Sequence, residues 1–227
     1  MKCIGLLGGM SWESSLLYYK IINEETNRIL GSQNNAKSVM TTVNFEEIEQ
    51  LQSTGRWDEA TDILLYHAKL LEEAKADFIV LCTNTMHKLL PNITPHIKTP
   101  FLHIAKATAA EIKKEKITKV LLLGTKFTMQ EDFYKHILQE EGIDVCIPNE
   151  SDMETVHSII YNELCLGKVD TISKQRYLDV ITSFLDIEGV ILGCTEIGLL
   201  ISQEDLDIKV FDTTQIHAKK AVELALS

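Results

Sequence analysis

The stretch Ile79-Val80-Leu81-Cys82-Thr83-Asn84 recurs in similar form as Ile191-Leu192-Gly193-Cys194-Thr195-Glu196. Each begins as a short apolar run, typical of a strand buried on both faces, and then turns polar after its cysteine. Each is preceded, at nearly equal separation, by one of a second similar pair, Leu6-Leu7-Gly8-Gly9-Met10-Ser11 and Leu122-Leu123-Gly124-Thr125-Lys126-Phe127. Two landmarks repeated in the same order predict two copies of one structural unit.

Short apolar runs alternate with amphipathic segments along the whole chain. Asp58–Lys75 has apolar side chains at helical spacing, and Ser151-Asp152-Met153-Glu154 has the spacing of a capping box that begins another helix. Alternating strands and helices predict an α/β fold with parallel sheets and right-handed crossovers. The predicted strands are Cys3–Leu7, Val39–Asn44, Phe78–Cys82, Phe101–Ile104, Val120–Leu123, Asp144–Ile147, Val190–Leu192 and Lys209–Phe211.

The duplication divides the chain into two similar α/β lobes. We expect residues 1–97 and 210–227 to form the first lobe, which carries Cys82, and residues 98–209 to form the second, which carries Cys194. Two prolines, Pro95 and Pro100, bracket the expected boundary. The last predicted helix, 214–226, is expected to pack back on the first lobe because the termini of a domain often lie close together.

Composition limits the class of protein and its partners. The 227 residues are 45% hydrophobic, as in ordinary globular proteins, and their net charge is −11. Because so acidic a surface repels phosphate backbones and anionic lipid, we expect no nucleic-acid or membrane partner. No apolar run is long enough for a membrane helix, and the first residues lack a signal-peptide cleavage pattern. Five widely spaced cysteines favour reduced thiols in the cytoplasm, and their spacing predicts no metal site.

Cys82 and Cys194 are the candidate catalytic residues. Both follow predicted parallel strands at the carboxyl end, where open α/β sheets bind ligands. We expect the helix beginning after each cysteine to lower the pKa of its thiol. If the lobes face each other about a pseudo-twofold axis, the two thiols lie on opposite sides of one cleft. Inversion of a stereocentre needs such a pair, in which one group removes the α-proton and the other delivers a proton from the far side.

Three motifs together identify a resemblance to a known family. They are Gly5-Leu6-Leu7-Gly8-Gly9-Met10-Ser11-Trp12-Glu13-Ser14, Cys82-Thr83-Asn84-Thr85 and Gly193-Cys194-Thr195-Glu196, supported by Gly124-Thr125 and Asp212-Thr213-Thr214. With these motifs the chain resembles the aspartate/glutamate racemase superfamily, specifically its aspartate racemase branch. The resemblance spans nearly the whole chain and implies two Rossmann-like (flavodoxin-like) lobes with the active site between them. It also implies a homodimer that needs no cofactor, pyridoxal phosphate (PLP) included, and that racemises aspartate, with glutamate or a broader set of amino acids as further substrates.

By this resemblance, Cys82 and Cys194 transfer the protons and a set of neighbouring residues lines the substrate site. We expect N–H and hydroxyl donors after each cysteine to hold the substrate carboxylate. Glu196 stands where the glutamate racemase branch has a histidine, which favours the aspartate branch. The lining residues are Met10, Thr83, Asn84, Thr85, Thr195 and Glu196.

The residue that binds a distal carboxylate is harder to identify. Family members have basic residues in the loop after the second strand. In this chain no Arg or Lys stands between that strand and Arg56, and Gln52 is the candidate neutral donor. Lys168 is the candidate in the second lobe, with a solvated surface lysine as the alternative. His87, about one turn after Cys82, is either a ligand contact or a packing residue. Strict aspartate specificity is therefore left open.

Two other functions also stay open. A cis–trans isomerase or decarboxylase of small dicarboxylates in the same superfamily would use one cysteine as nucleophile or proton donor. A non-catalytic two-lobed binder of small acids would use the same helix N-termini without exchanging the α-proton.

Overall fold

The computed structural model describes all residues, Met1–Ser227, and contains two four-stranded parallel sheets. The first has the order β2-β1-β3-β4 and the second the order β6-β5-β7-β8, so one topology occurs twice and the predicted α/β class is confirmed. The strands are β1 (Ile4–Gly8), β2 (Ser38–Thr42), β3 (Phe78–Leu81), β4 (Phe101–Leu102), β5 (Lys119–Gly124), β6 (Asp144–Cys146), β7 (Gly189–Gly193) and β8 (Lys209–Asp212).

Ten α-helices and five short 3₁₀ helices connect the strands. None of them is both long enough and apolar enough to cross a membrane. The α-helices are α1 (Trp12–Leu30), α2 (Phe45–Ser53), α3 (Trp57–Glu73), α4 (Leu90–Ile93), α5 (Ile104–Lys114), α6 (Lys126–Gln130), α7 (Asp132–Glu140), α8 (Glu150–Asn162), α9 (Thr171–Thr182) and α10 (Thr213–Leu226). The 3₁₀ helices are Thr85–Leu89, Thr94–His96, Leu164–Leu166, Ile197–Leu199 and Gln203–Asp205.

The chain divides into two compact units, Met1–Ile104 with His217–Ser227 and Ala105–Ile216. We expected residues 1–97 and 210–227 in the first unit and residues 98–209 in the second. Both boundaries between the units therefore lie seven residues later than expected. Strand pairing is the reason: β4 pairs with β3 in the first sheet, and β8 pairs with β7 in the second. Residues 98–104 therefore belong to the first unit, and residues 210–216 to the second.

In the first unit, helices cover both faces of the sheet. Alternate residues of β1 point to opposite sides, so Leu7 packs in a cluster with α2 and α3, whereas Leu6 packs with α1 and the end of α10. Ala218 and Val222 of α10 are fully buried in that second cluster. The prediction that the last helix packs on the first unit is confirmed.

In the second unit, residues of β5 and β7 form a core with α8 and α9. The predicted start of α8 was wrong. Asn149, not Ser151, is the N-cap, because the Asn149 side chain accepts the N–H of Asp152 and so begins the helix at Glu150.

A tight turn connects β1 to α1. Gly9 has φ +95°, a backbone conformation that favours glycine, and its N–H donates to Ser15 Oγ at 2.8 Å. A Cβ on Gly9 would lie within about 2.3 Å of the carbonyl oxygen of Val43. The turn therefore accommodates only glycine at this position.

Gly9→Ala is expected to lower the free energy of unfolding by about 3 kcal/mol, from backbone strain together with the clash against Val43. The matched control is Gly55→Ala, because Gly55 also has positive φ (+71°) but no atom lies within 4 Å of an added Cβ. The control should cost only about 1 kcal/mol. Urea unfolding measures both, and equal losses would contradict the proposed clash.

Tyr18 and His217 form a buried hydrogen-bonded pair in the first unit. The Tyr18 hydroxyl lies 2.9 Å from His217 Nδ1, and His217 Nε2 lies 2.8 Å from the Leu102 carbonyl oxygen. Since a carbonyl only accepts, Nε2 carries the proton and Nδ1 accepts from Tyr18. Burial lowers the pKa of His217 to about 4, and the nearby His103 acts in the same direction. The ring is therefore neutral in the folded protein.

His217 should make stability depend on pH. Its pKa is lower in the folded chain than the ordinary 6.5, so the unfolded chain binds the proton more readily and stability is lost as the pH falls from 6.5 towards 4. Between pH 7 and pH 5 this group alone should cost about 2 kcal/mol. His217→Gln keeps one donor and one acceptor but does not titrate, so its unfolding free energy should fall by about 2 kcal/mol less over that range. Identical pH dependence in both proteins would contradict this.

Candidate active site

Cys82 directly follows β3, one of the two central strands of the first sheet. The Cys82 N–H donates to the Leu7 carbonyl oxygen at 2.9 Å, and the Ser14 hydroxyl donates to the Cys82 carbonyl oxygen at 2.8 Å. The side chain is fully buried, and its thiol lies 3.7 Å from the Val80 carbonyl oxygen. Ser14 had no predicted role, although it lies within the Gly-Gly-Met-Ser-Trp-Glu-Ser motif that begins α1.

His87 fixes the loop after Cys82. Its Nδ1 lies 2.8 Å from the Thr83 carbonyl oxygen, and its Nε2 accepts the N–H of Ile104 at 3.2 Å. Burial, with the neighbouring His103 and His217, holds its pKa well below the ordinary value. Both ring nitrogens are engaged in this neutral, buried ring, so His87 is a packing residue that positions the loop.

Cys194 occupies the same place in the second unit, directly after the central strand β7. Its thiol donates to Glu196 Oε2 at 3.0 Å, and the Thr195 hydroxyl donates to the same oxygen at 2.6 Å. Glu196 is only 5% exposed. A carboxylate in such a dry position is stabilised by hydrogen-bond donors, and here two come from the preceding two side chains.

The pKa of each thiol is raised, which contradicts the prediction that a helix N-terminus lowers it. Burial raises the pKa of Cys82. Burial also raises the pKa of Cys194, followed in importance by the charge of Glu196. Full burial raises the pKa of a thiol far more than a helix N-terminus lowers it, because a helix end contributes only about 0.3–1 kcal/mol. The helices that follow, Thr85–Leu89 and Ile197–Leu199, are also short 3₁₀ helices of five and three residues.

The other predicted site residues fall into two groups. Those adjacent to a cysteine in sequence remain adjacent in space: Asn84 and Thr85 are buried beside Cys82, with Thr83 partly exposed. The rest are more scattered. Met10 packs in the core of the first unit, Gln52 is buried in α2, and Lys168 is exposed after the 3₁₀ helix Leu164–Leu166.

A buried thiol of raised pKa suits proton transfer at carbon. Once ionised it is a stronger base than an ordinary thiolate, and as a thiol it stays protonated until a proton is needed. Each unit supplies one such group, at the same strand end of the same topology.

Several known proteins are similar to this chain in sequence and in structure. Broad specificity amino-acid racemase RacX of Bacillus subtilis (strain 168) is 27% identical over 172 residues, which are 75% of this chain and 74% of that protein. A candidate Asp/Glu racemase from Yersinia pestis has 46% identity and a TM-score of 0.93, with 100% of both chains covered. PH1733, an aspartate racemase homologue from Pyrococcus horikoshii OT3, has 38% identity and a TM-score of 0.88, also over 100% of both chains.

The family assignment rests on nearly the whole chain. Residues 7–221 match the family described as Asp/Glu/Hydantoin racemase. The chain therefore belongs to the Asp/Glu/hydantoin racemase family and is an isomerase of the amino-acid racemase type.

Proposed function

We propose that this racemase interconverts L- and D-aspartate by two-base proton transfer at the α-carbon, without PLP, and that Cys82 and Cys194 are the two proton-transfer groups. One observation carries the proposal: the two thiols follow equivalent central strands, β3 and β7, in two sheets of identical topology. Glutamate or a broader set of amino acids are further candidate substrates.

The reaction needs one thiolate and one thiol. The thiolate takes the α-proton, so the C–H bond breaks, an S–H bond forms and the electron pair remains on the substrate as an enolate-like carbanion. The other thiol then donates its proton to the opposite face of that carbon and becomes a thiolate. The two groups have exchanged roles, and the enzyme is set for the opposite enantiomer.

The main energetic demand is the weak acidity of a hydrogen beside a carboxylate. Hydrogen bonds that strengthen as charge builds on that carboxylate are the largest available contribution. We assign this role to N–H and hydroxyl groups of Thr83, Asn84 and Thr85 and to the N–H of Thr195, which lie directly after the two thiols in sequence. Burial of both thiols adds a dry environment in which such bonds are stronger.

The choice of aspartate rests on similarity to known proteins. PH1733, described as an aspartate racemase homologue, shares 38% of its residues with this chain, whereas RacX is described as broad in specificity. A distal carboxylate needs a donor, and Gln52 and Lys168 are our candidates. Gln52 is a neutral donor, which is compatible with a broader set of substrates.

The setting of the enzyme belongs to the same proposal. Both catalytic groups must stay reduced, which favours the cytoplasm. A homodimer is also proposed, with the exposed apolar side chains Trp12, Leu16 and Tyr19 of α1 as the candidate contact.

Cys82→Ser and Cys194→Ser should each lower racemisation of aspartate by about 10³-fold or more, because a serine hydroxyl is far too weak an acid to replace either thiol. Chiral chromatography of the product measures the rate, and circular dichroism checks folding. Cys3→Ser and Cys146→Ser are the matched controls, one in each unit, and should leave the rate unchanged. Full activity in either test variant would refute the two-base assignment; activity that needs only one thiol would favour the isomerase or decarboxylase alternative.

A substrate panel tests the preferred amino acid. Both enantiomers of aspartate, glutamate and alanine are incubated in deuterated water, and chiral chromatography with NMR follows inversion and deuterium at the α-carbon. We expect aspartate to invert fastest and its product to carry deuterium. Comparable rates for alanine would replace aspartate with a broad specificity. Binding of aspartate without inversion or deuterium uptake would favour the non-catalytic binder.

A further inference from the structure

The two candidate thiols have different surroundings. Within the second unit, Cys194 Sγ lies 3.0 Å from a buried carboxylate oxygen of Glu196. Within the first unit, Cys82 Sγ has the neutral Val80 carbonyl oxygen at 3.7 Å, and burial alone raises the pKa of its thiol. Two halves that repeat one topology therefore carry two chemically different thiols.

The orientation of Glu196 is fixed for a proton exchange with Cys194. The Thr195 hydroxyl donates to Oε2 at 2.6 Å, and the thiol donates to the same oxygen. A hydrogen bond already spans the path between sulfur and oxygen, so a proton can pass along it without rearrangement of either side chain. A carboxylate used in this way would repel rather than bind the carboxylate of a substrate.

We propose that Glu196 is the proton partner of Cys194: its carboxylate takes the thiol proton when Cys194 acts as the base, and it returns that proton after Cys194 has donated its own to the substrate in the opposite direction. The inference rests on the proposed two-base function and assigns Glu196 a positioning and proton-holding role in place of substrate binding. As the S–H bond breaks, an O–H bond forms on Oε2 and the negative charge moves from oxygen to sulfur. During this internal transfer the pair keeps one proton and one negative charge.

The pairing also orders the events of a turnover. Cys194 has a local acceptor for its proton, whereas Cys82 has none within its unit and rests as a thiol. The free enzyme is therefore ready for Cys194 to abstract the α-proton and for Cys82 to donate one. After that turnover, Cys194 and Glu196 are both protonated and Cys82 is the thiolate, which is the form ready for the opposite enantiomer.

The first test is the pH profile of kcat/KM. The wild type should vary little between about pH 6 and pH 8, since a carboxylate accepts the proton. Glu196→Gln keeps the shape and an acceptor oxygen for Thr195 but holds no proton. It should be slower by about 10²-fold at pH 7, and its rate should rise about tenfold per pH unit as the thiol ionises directly. Because the equilibrium constant of racemisation is 1, kcat/KM is equal in the two directions. The profile can therefore be measured with either enantiomer as the substrate.

Two variants complete this experiment. Glu196→Asp keeps a carboxylate, but on a side chain that is one methylene shorter and so farther from the thiol. It should recover part of the rate together with the flat profile. Glu204→Gln, an exposed glutamate of the same unit, is the matched control and should match the wild type. A flat profile for Glu196→Gln, at a rate within about threefold of the wild type, would overturn the proposal.

The second test does not depend on racemisation. Alkylation of Cys194 by iodoacetamide, followed by peptide mass spectrometry, reports its thiolate from about pH 5 to pH 9. In the wild type, the form with the proton on Glu196 should give a rate that does not change with pH at the acid end. In Glu196→Gln the rate should rise about tenfold per pH unit throughout.

The two tests separate the two ideas. A wild-type protein that does not racemise amino acids but shows the flat alkylation profile would contradict the proposed function and still support the Cys194–Glu196 pair. Equal alkylation profiles in the wild type and Glu196→Gln would overturn the pair whatever the activity.

Discussion

Parallel pairing of two central strands in each unit is the constraint on which the candidate site depends. Leu7 of β1 pairs with Leu81 of β3, so the turn through Gly9 and the loop through Cys82 leave the sheet side by side. In the second unit Gly124 pairs with Gly193, and a Cβ on either glycine would lie about 2.8 Å from a carbonyl oxygen of the paired strand. This close approach fixes the position of Cys194, which directly follows Gly193 at the end of β7.

Burial then decides the chemistry of the thiols. A thiol removed from water ionises reluctantly, but the thiolate that does form is a strong base in a place where hydrogen bonds count for more. The two thiols therefore ionise less easily, but their thiolates are stronger bases, which abstraction of a weakly acidic α-proton requires. In our proposal Glu196, hydrogen-bonded to Cys194, is a second carrier for the proton, and the buried neutral His87 holds the Cys82 loop in place.

Much of the fold could be read from the sequence because it depends on local patterns. The repeated cysteine stretches and apolar runs identified eight strands and the duplicated topology, since strands buried on both faces carry an unmistakable composition. The start of α8 at Asn149 was missed because several capping residues stand in a row there. The unit boundaries were displaced because strand pairing, which assigns β4 and β8, joins residues distant in sequence. The pKa direction of the thiols and the contact between Cys194 and Glu196 depend on burial and side-chain rotamers, which no sequence pattern records.

The central claim is that two different groups, one on each face of the substrate, carry out the proton transfer. The most direct measurement follows L-aspartate in deuterated water at low conversion by NMR, with the remaining L-aspartate and the new D-aspartate analysed separately. The account predicts deuterium at the α-carbon of the D-aspartate and retained hydrogen in the L-aspartate, because the donating thiol has exchanged with solvent and the abstracting group delivers nothing back. Equal deuterium in both enantiomers from the first turnovers would show a single base and contradict the account.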